Sequence, residues 1–308
     1  MNPTAAAGIS SHCKRRNVVD IDYRAENSHG AYRTPDTDGP FPAVLALGGS
    51  DGGTPLYFAD LLVPEGFACL SLAYWATPET QAWFTDIPLE RIERGLRWLI
   101  DRAETKTHGE RVSLVGASRG AELALLVAAT FPDLVGPVVA YTPSSVRWQG
   151  IDLTLPPGVT RSSWTFQGKP LSYVSFPPGV PPRQSDHALS WLPVMEAALN
   201  DAQSLDAAAI AVEKCAGPVL LISGGDDHVW PAARMSEMLT DRMASRGRRD
   251  RIKHLHYPQA GHMLFPYTRP TDTAVPEMPM DLGGNPDADA AAHLDAWSAV
   301  VGCLLGKR

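Results

Sequence analysis

The sequence predicts an α/β protein: a mostly parallel sheet of about eight strands, with helices on both faces. Two observations carry this expectation. Short apolar runs bounded by Gly and Pro recur along the chain and alternate with stretches of helical period, as buried parallel strands joined by crossover helices require. One of those runs, "RVSLVG", passes through a serine fenced by glycines straight into an alanine-rich helical pattern, "AELALLVAATF".

The elements follow in order. "NVVDIDYRA" and "HGAYRTP" alternate in period two and read as an antiparallel hairpin on the sheet edge. The Pro- and Gly-rich "RTPDTDGPFP" then leads into "AVLALGGSDGG", an apolar strand that stops in glycines. "GFACLSLAY" is the next strand and "PLERIERGLRWLIDRAE" the next helix. "RVSLVG", "GPVVAY", "GPVLLISGG" and "RIKHLHYP" complete the strands. Between "GPVVAY" and "GPVLLISGG", residues 142–190 break the rhythm with a Pro- and aromatic-rich excursion, too long for an ordinary connection. It reads as a cap-like insertion within a single domain spanning 1–308, or as a surface hairpin whose aromatics pack on each other.

Composition excludes several classes. The chain has 308 residues, 44% hydrophobic and 20% charged, with no apolar run of the roughly 18 residues a membrane span needs. A net charge of −7 argues against nucleic-acid binding, which favours a basic face. "MNPTAAAGISSHCKRRN" lacks the apolar core of a secretory signal, so a cytoplasmic location is expected. Cys13, Cys69, Cys215 and Cys303 form no CxxC pair and no zinc-like spacing with histidine. Cys69 and Cys215 read as small core residues, and neither a metal nor an organic cofactor is implied.

The G-x-S-x-G pattern at Gly116-Ala117-Ser118-Arg119-Gly120 is weak alone and strong in its setting. A buried strand before it and a helix after it place Ser118 on a strained turn at the C-terminal edge of the sheet, where only small neighbours fit. The helix start aims main-chain N–H groups, Arg119 foremost, at the position where an oxyanion would develop. The base expected for such a serine is His262, in the turn that ends "IKHLHYPQAGHMLFP"; the orienting acid is Asp227 in "GGDDHVWP", with Asp226 as runner-up. His228 is a weaker base candidate because it shares the acids' turn. His254 and His256 lie within a strand and read as structural.

The second oxyanion donor is expected from "GGSDGG", as the N–H of Ser50 or Asp51. Substrate contact is expected from Trp75 and from Trp148 and Trp164 of the insertion. The basic run "SRGRRDRIKH" joins a helix end to a strand start, hence the edge opposite Ser118, and reads as a solvated loop.

Taken together, "GPFPAVLALGGSDGG", "EGFACLSLAYW", "LVGASRGAELAL", "SSVRWQGI", "SSWTFQGKPL", "GPVLLISGGDDHVWP", "YPQAGHMLFP" and "AAAHLDAWSAVVGCLL" make the chain similar, from about Phe41 to Leu305, to the α/β-hydrolase superfamily. More narrowly it resembles the C-terminal catalytic domain of the acyl-CoA thioesterase and bile acid-CoA:amino acid N-acyltransferase family. The resemblance implies Ser118, Asp227 and His262 as nucleophile, acid and base. Larger members carry an N-terminal β-sandwich, for which the segment before Phe41 leaves no room, so the shorter bacterial form is the expected match. Amino-acid-conjugating members use Cys as nucleophile, whereas this chain has Ser118. An ester intermediate has less bias towards amines than a thioester has, which tilts the expectation towards hydrolysis.

The expected activity is therefore a serine hydrolase acting on a small-molecule acyl thioester. An acyltransferase to an amine or alcohol, a carboxylesterase, and a non-catalytic hydrolase-fold binding protein are the alternatives.

Overall fold

The computed structural model describes residues 18–185, 188–276 and 279–307; Cys13 and the N-terminal segment lie outside them. The predicted strands form one sheet. β1 (Val18–Ala25), β2 (Ser28–Pro35), β3 (Phe41–Leu47), β4 (Ala68–Ala73), β5 (Val112–Ala117), β6 (Val135–Tyr141), β7 (Val219–Gly224) and β8 (Ile252–Tyr257) run in the spatial order β1-β2-β4-β3-β5-β6-β7-β8. A two-residue strand, Thr105–Lys106, adds to the start of β3. β1 and β2 form the expected antiparallel edge hairpin, β2 is antiparallel to β4, and every neighbouring pair from β4 to β8 is parallel.

The central strands are apolar on both faces because both are covered. Val44 and Ala46 of β3 face one cluster, with Tyr57, Phe58 and Leu62 of α1 (Leu56–Leu62) and Ala292, Ala296 and Val300 of α7 (Pro286–Leu304). Ala43, Leu45 and Leu47 face the other. There they meet Ile92, Leu96 and Leu99 of α2 (Glu90–Ile100), the apolar face of α3 (Arg119–Thr130), and Leu239 and Met243 of α6 (Ala232–Ser245). The 4-then-3 spacing in α2 is the stripe of an amphipathic helix, and Glu93 and Arg97 pair on its solvent side. Asn285 caps α7 by accepting from the Ala288 N–H at 2.9 Å, with Pro286 in the first turn. Among the described residues no helix is long and apolar enough to cross a membrane.

Among the described residues, 142–190 pack inward. Phe84 and Ile151 exchange main-chain hydrogen bonds, and the short strand Trp164–Phe166 pairs with Ile87–Pro88. Trp148 and Val174 form a third cluster with Met195 and Ala198 of α4 (Leu192–Ala198), with Ala208 of α5 (Ala202–Ala208), and with Trp230 and Met235. The basic run closes the opposite end of the sheet, where Arg248 and Arg251 donate to the carbonyls of Glu213, Cys215 and Ala216.

Strand order decides where a site can form. From β3 the chain crosses one way to β4 and returns past β3 to β5, so the loops after β3 and β5 diverge and leave a crevice at the C-terminal ends of the strands.

The edge pair β7 and β8 also sets an acid sensitivity. His254 Nε2 lies 2.7 Å from Ser223 Oγ, and burial, followed by His256 and Arg249, pulls the imidazole down to about 4 from 6.5. The unfolded chain binds this proton first as pH falls, so His254 destabilises the fold progressively between about 6.5 and 4 and adds nothing further below that. The thermal midpoint should fall across that window, and His254→Gln should flatten this part of the curve; an unchanged slope would remove His254 as the cause.

Candidate active site

Ser118 sits where the crevice opens. β5 ends at Ala117, α3 begins at Arg119, and Ser118 joins them with φ 56° and ψ −123°, a conformation that costs a non-glycine residue about 1–3 kcal/mol and persists only where its surroundings enforce it. They do. A methyl group on Gly116 would lie 2.2 Å from the Gly120 carbonyl oxygen, and one on Gly120 would lie 2.3 Å from those of Leu47 and Gly48. Strand, helix and the end of β3 thus touch main chain to main chain. The Ser118 N–H donates to the Tyr141 carbonyl at 3.0 Å, and the N–H groups of Ala121 and Glu122 return to the Ser118 carbonyl. Those of Arg119 and Gly120, at the helix start, have no acceptor inside the helix.

His262 and Asp227 arrive from the turns after β8 and β7. His262 Nε2 is 2.9 Å from Ser118 Oγ, and its Nδ1 is 2.8 Å from Asp227 Oδ2. The other carboxylate oxygen of Asp227 accepts from the N–H groups of Val229 at 2.8 Å and Trp230 at 3.2 Å. Both residues are buried, and the Trp230 ring stands edge-on to the imidazole at 5.8 Å. A carboxylate held this way fixes the His262 tautomer that leaves Nε2 free to accept a proton from the serine.

Asp226 faces elsewhere. Its carboxylate accepts from the Gly284 N–H at 3.0 Å and lies 3.2 Å from His228 Nε2, while His228 Nδ1 lies 2.9 Å from Asp281. The segment 281–284 also takes the His262 N–H on the Leu282 carbonyl at 2.8 Å and bridges Asp227 through Gly283. His228 therefore sits in a stitch that ties the acid turn to the segment underlying the base. The sequence offered no sign of it: the three groups come from two distant loops, and only the fold brings them together.

The loop after β3 abuts the nucleophile, since a methyl group on Gly49 would lie 3.3 Å from Ser118 Cβ. The half-buried Asp51 carboxyl accepts from the Tyr267 hydroxyl at 2.8 Å. It also draws on the N–H groups of Gly49 and of Asp51 itself, while burial pushes it above the usual carboxylate range. Of the two predicted donors, that leaves the Ser50 N–H unengaged by this carboxyl. The Gly49 carbonyl accepts from the Trp75 indole at 3.3 Å, and across a trans peptide the Ser50 N–H points the opposite way.

The chain beyond His262 straps this loop down, a second feature the sequence did not announce. Thr273 donates to the Asp51 carbonyl. The Asp272 carboxylate accepts from the Thr54 N–H and hydroxyl and lies 3.1 Å from His29, and these hydrogen bonds lower it to about 2.

The three tryptophans expected to touch substrate are packed away. Trp148 and Trp164 have no exposed surface and Trp75 has 4%. Each indole N–H is spent within the protein: Trp148 on Ser144 Oγ, Trp164 on Glu122, Trp75 on Gly49. In this conformation they present no face to a ligand; Trp148 and Trp164 are core because their excursion folds back onto the sheet, and Trp75 because it packs against Phe84.

Comparison with known proteins bears on the family and the fold. A family model described as "BAAT / Acyl-CoA thioester hydrolase C terminal" matches residues 87–304. The chain is 30% identical over 286 residues to acyl-coenzyme A thioesterase 1 of Homo sapiens, covering 89% of this chain and 62% of that protein. It is 29% identical over 280 residues to acyl-coenzyme A amino acid N-acyltransferase 2 of Rattus norvegicus, covering 88% and 61%. It thus spans less than two thirds of the length of these relatives. Among solved structures, a bacterial heroin esterase superposes with a TM-score of 0.56 at 16% identity, covering 94% of this chain and 85% of that one. Carboxyl esterase 2 of the fungus Tuber melanosporum does so with a TM-score of 0.54 at 16% identity, covering 94% and 88%. At such identities the likeness is one of fold, and the fold is that of the α/β-hydrolases.

Proposed function

Because the chain belongs to the BAAT and acyl-CoA thioester hydrolase C-terminal family, we propose that it hydrolyses an acyl thioester through an acyl-enzyme on Ser118. The observation that carries this reading is the continuous hydrogen-bond relay from Ser118 Oγ through His262 to Asp227, built on a strained serine. Ser118 Oγ attacks the thioester carbonyl as its proton passes to His262 Nε2. Negative charge on the carbonyl oxygen is taken up by the N–H groups of Arg119 and Ser50. The intermediate collapses by breaking the carbon–sulfur bond, and His262 returns the proton to the departing thiol. Water then repeats the sequence on the ester, releasing the acid and restoring the serine. In the same reading the chain is a single domain, with residues 142–190 a cap-like insertion within it.

A second reading, transfer of the acyl group to an amine, is favoured by the likeness to the rat N-acyltransferase. Ser118 weighs against it, because an oxygen ester discriminates less between amines and water than a thioester does. The test combines thiol release with mass spectrometry of protein and products, over a panel of acyl thioesters with and without amino acids. Thiol release with free acid as sole product is expected. Acylated amine would make the enzyme a transferase, and thiol release without any requirement for Ser118 would end the acyl-enzyme reading.

A further inference from the structure

Beside the two N–H groups assigned to the oxyanion stands a single buried wall of side chains. Arg119 and Glu122 lie in the first turn of α3, 5% and 0% exposed, with guanidinium Nη1 2.9 Å from the Glu122 carboxylate. Both reach the insertion. Arg119 Nη2 donates to the Gln149 carbonyl at 3.2 Å and to Ser163 Oγ; Glu122 accepts from the Trp148 N–H at 3.2 Å and the Trp164 indole at 2.6 Å. The guanidinium also lies 4.8 Å over the ring of Phe84, and the same ring meets Trp75 edge-on at 4.8 Å, whose indole holds the Gly49 carbonyl. Phe84 itself is hydrogen-bonded through its main chain to Ile151 of the insertion.

Stability is only part of what this arrangement supplies, through the buried hydrogen bonds to Trp148, Trp164 and Gln149. Burial raises Glu122 and lowers Arg119, each restrained by the other, and apolar pairs of similar volume generally serve at least as well in a core. What an apolar pair would not supply is direction. The Arg119 N–H follows the strained Ser118 in the chain, and such a peptide relaxes unless the residue beyond it is held.

We propose that the Arg119 and Glu122 side chains are positioning residues: by anchoring the first turn of α3 to the insertion they aim the Arg119 N–H at the oxyanion, while Trp75 aims that of Ser50 from beside Phe84. The insertion then contributes to catalysis through the geometry of the oxyanion hole. This rests on the reading of Ser118 as nucleophile, so the test needs a probe indifferent to substrate identity.

A fluorophosphonate serves. Ser118 Oγ forms a bond to phosphorus, fluoride leaves, the proton passes to His262, and the developing oxygen charge falls on the same N–H groups. The double variant Arg119→Met/Glu122→Met removes both charges and leaves neither unpaired. It strips the buried Trp148 N–H and Trp164 indole of their acceptor and so should melt below the parent, yet, while folded at the assay temperature, be phosphonylated about 100-fold more slowly, with kcat lowered equally and KM changed less than about threefold. Trp75→Phe, which deletes one N–H, should lose about tenfold in both rates. Parental rates in a folded double variant, or a loss confined to KM, would overturn the proposal. If the double variant does not fold, Trp75→Phe decides: full kcat and phosphonylation rate refute it. A parent that reacts with the probe but turns over no thioester fails only the substrate assignment, and the phosphonylation rates still decide the positioning role. A parent inert to the probe removes the nucleophile and this proposal with it.

Discussion

Ser118→Ala is expected to lower kcat by about four to six orders of magnitude while the protein stays folded. The loss is large because no neighbour can stand in: His262 Nε2 faces Ser118 Oγ at 2.9 Å, and the described cysteines are buried, their thiols pushed up to about 12. Stability should hardly move, since alanine meets the same penalty at φ 56° as serine does. Ser118→Gly separates strain from chemistry. Equally inactive, it should be more stable than the alanine variant by about 1 kcal/mol, because glycine accepts positive φ without cost. Turnover and denaturant titrations on the three proteins check both statements; an active alanine variant would remove Ser118 from the chemistry.

The second large effect is Asp227→Asn, with an expected loss in kcat of about 10²- to 10⁴-fold. Its direction follows from the main chain. One carboxylate oxygen accepts from the N–H groups of Val229 and Trp230, so an asparagine there must keep its carbonyl oxygen towards them and turn its NH₂ towards His262 Nδ1. That donor forces the imidazole proton onto Nε2, the wrong nitrogen for a base. Asp226→Asn, whose carboxylate serves Gly284 and His228, should stay within about tenfold of the parent by the same comparison. Steady-state kinetics on the pair decide the matter, and the reverse ranking would move the acid to Asp226.

Much of this was legible beforehand. The strands were readable because a sheet covered on both faces demands uninterrupted apolar runs, and the elbow because main-chain contact at Gly116 and Gly120 admits nothing larger than glycine. Chain order and turn placement singled out the three residues that the fold brings into hydrogen-bond contact. What stayed hidden depends on which polar groups meet across loops remote in sequence: the His228 stitch to Asp281, the strap of Asp272 and Thr273 over the loop after β3, the Arg119 and Glu122 pair. The tryptophans misled for a related reason. An aromatic in a Pro-rich excursion looks available for ligand until the fold turns it inward and gives its N–H a partner.

The hydrogen bond between Ser118 and His262 joins positions 144 residues apart. Closing so long a loop of unfolded chain costs entropy that only completed pairing of β5 through β8 returns. No chain still on the ribosome before β8 has emerged, and no refolding species in which that strand is undocked, possesses a catalytic relay. Regain of turnover therefore follows the last parallel strand into place, and a nascent chain holds no relay until the turn that carries His262 has left the ribosome.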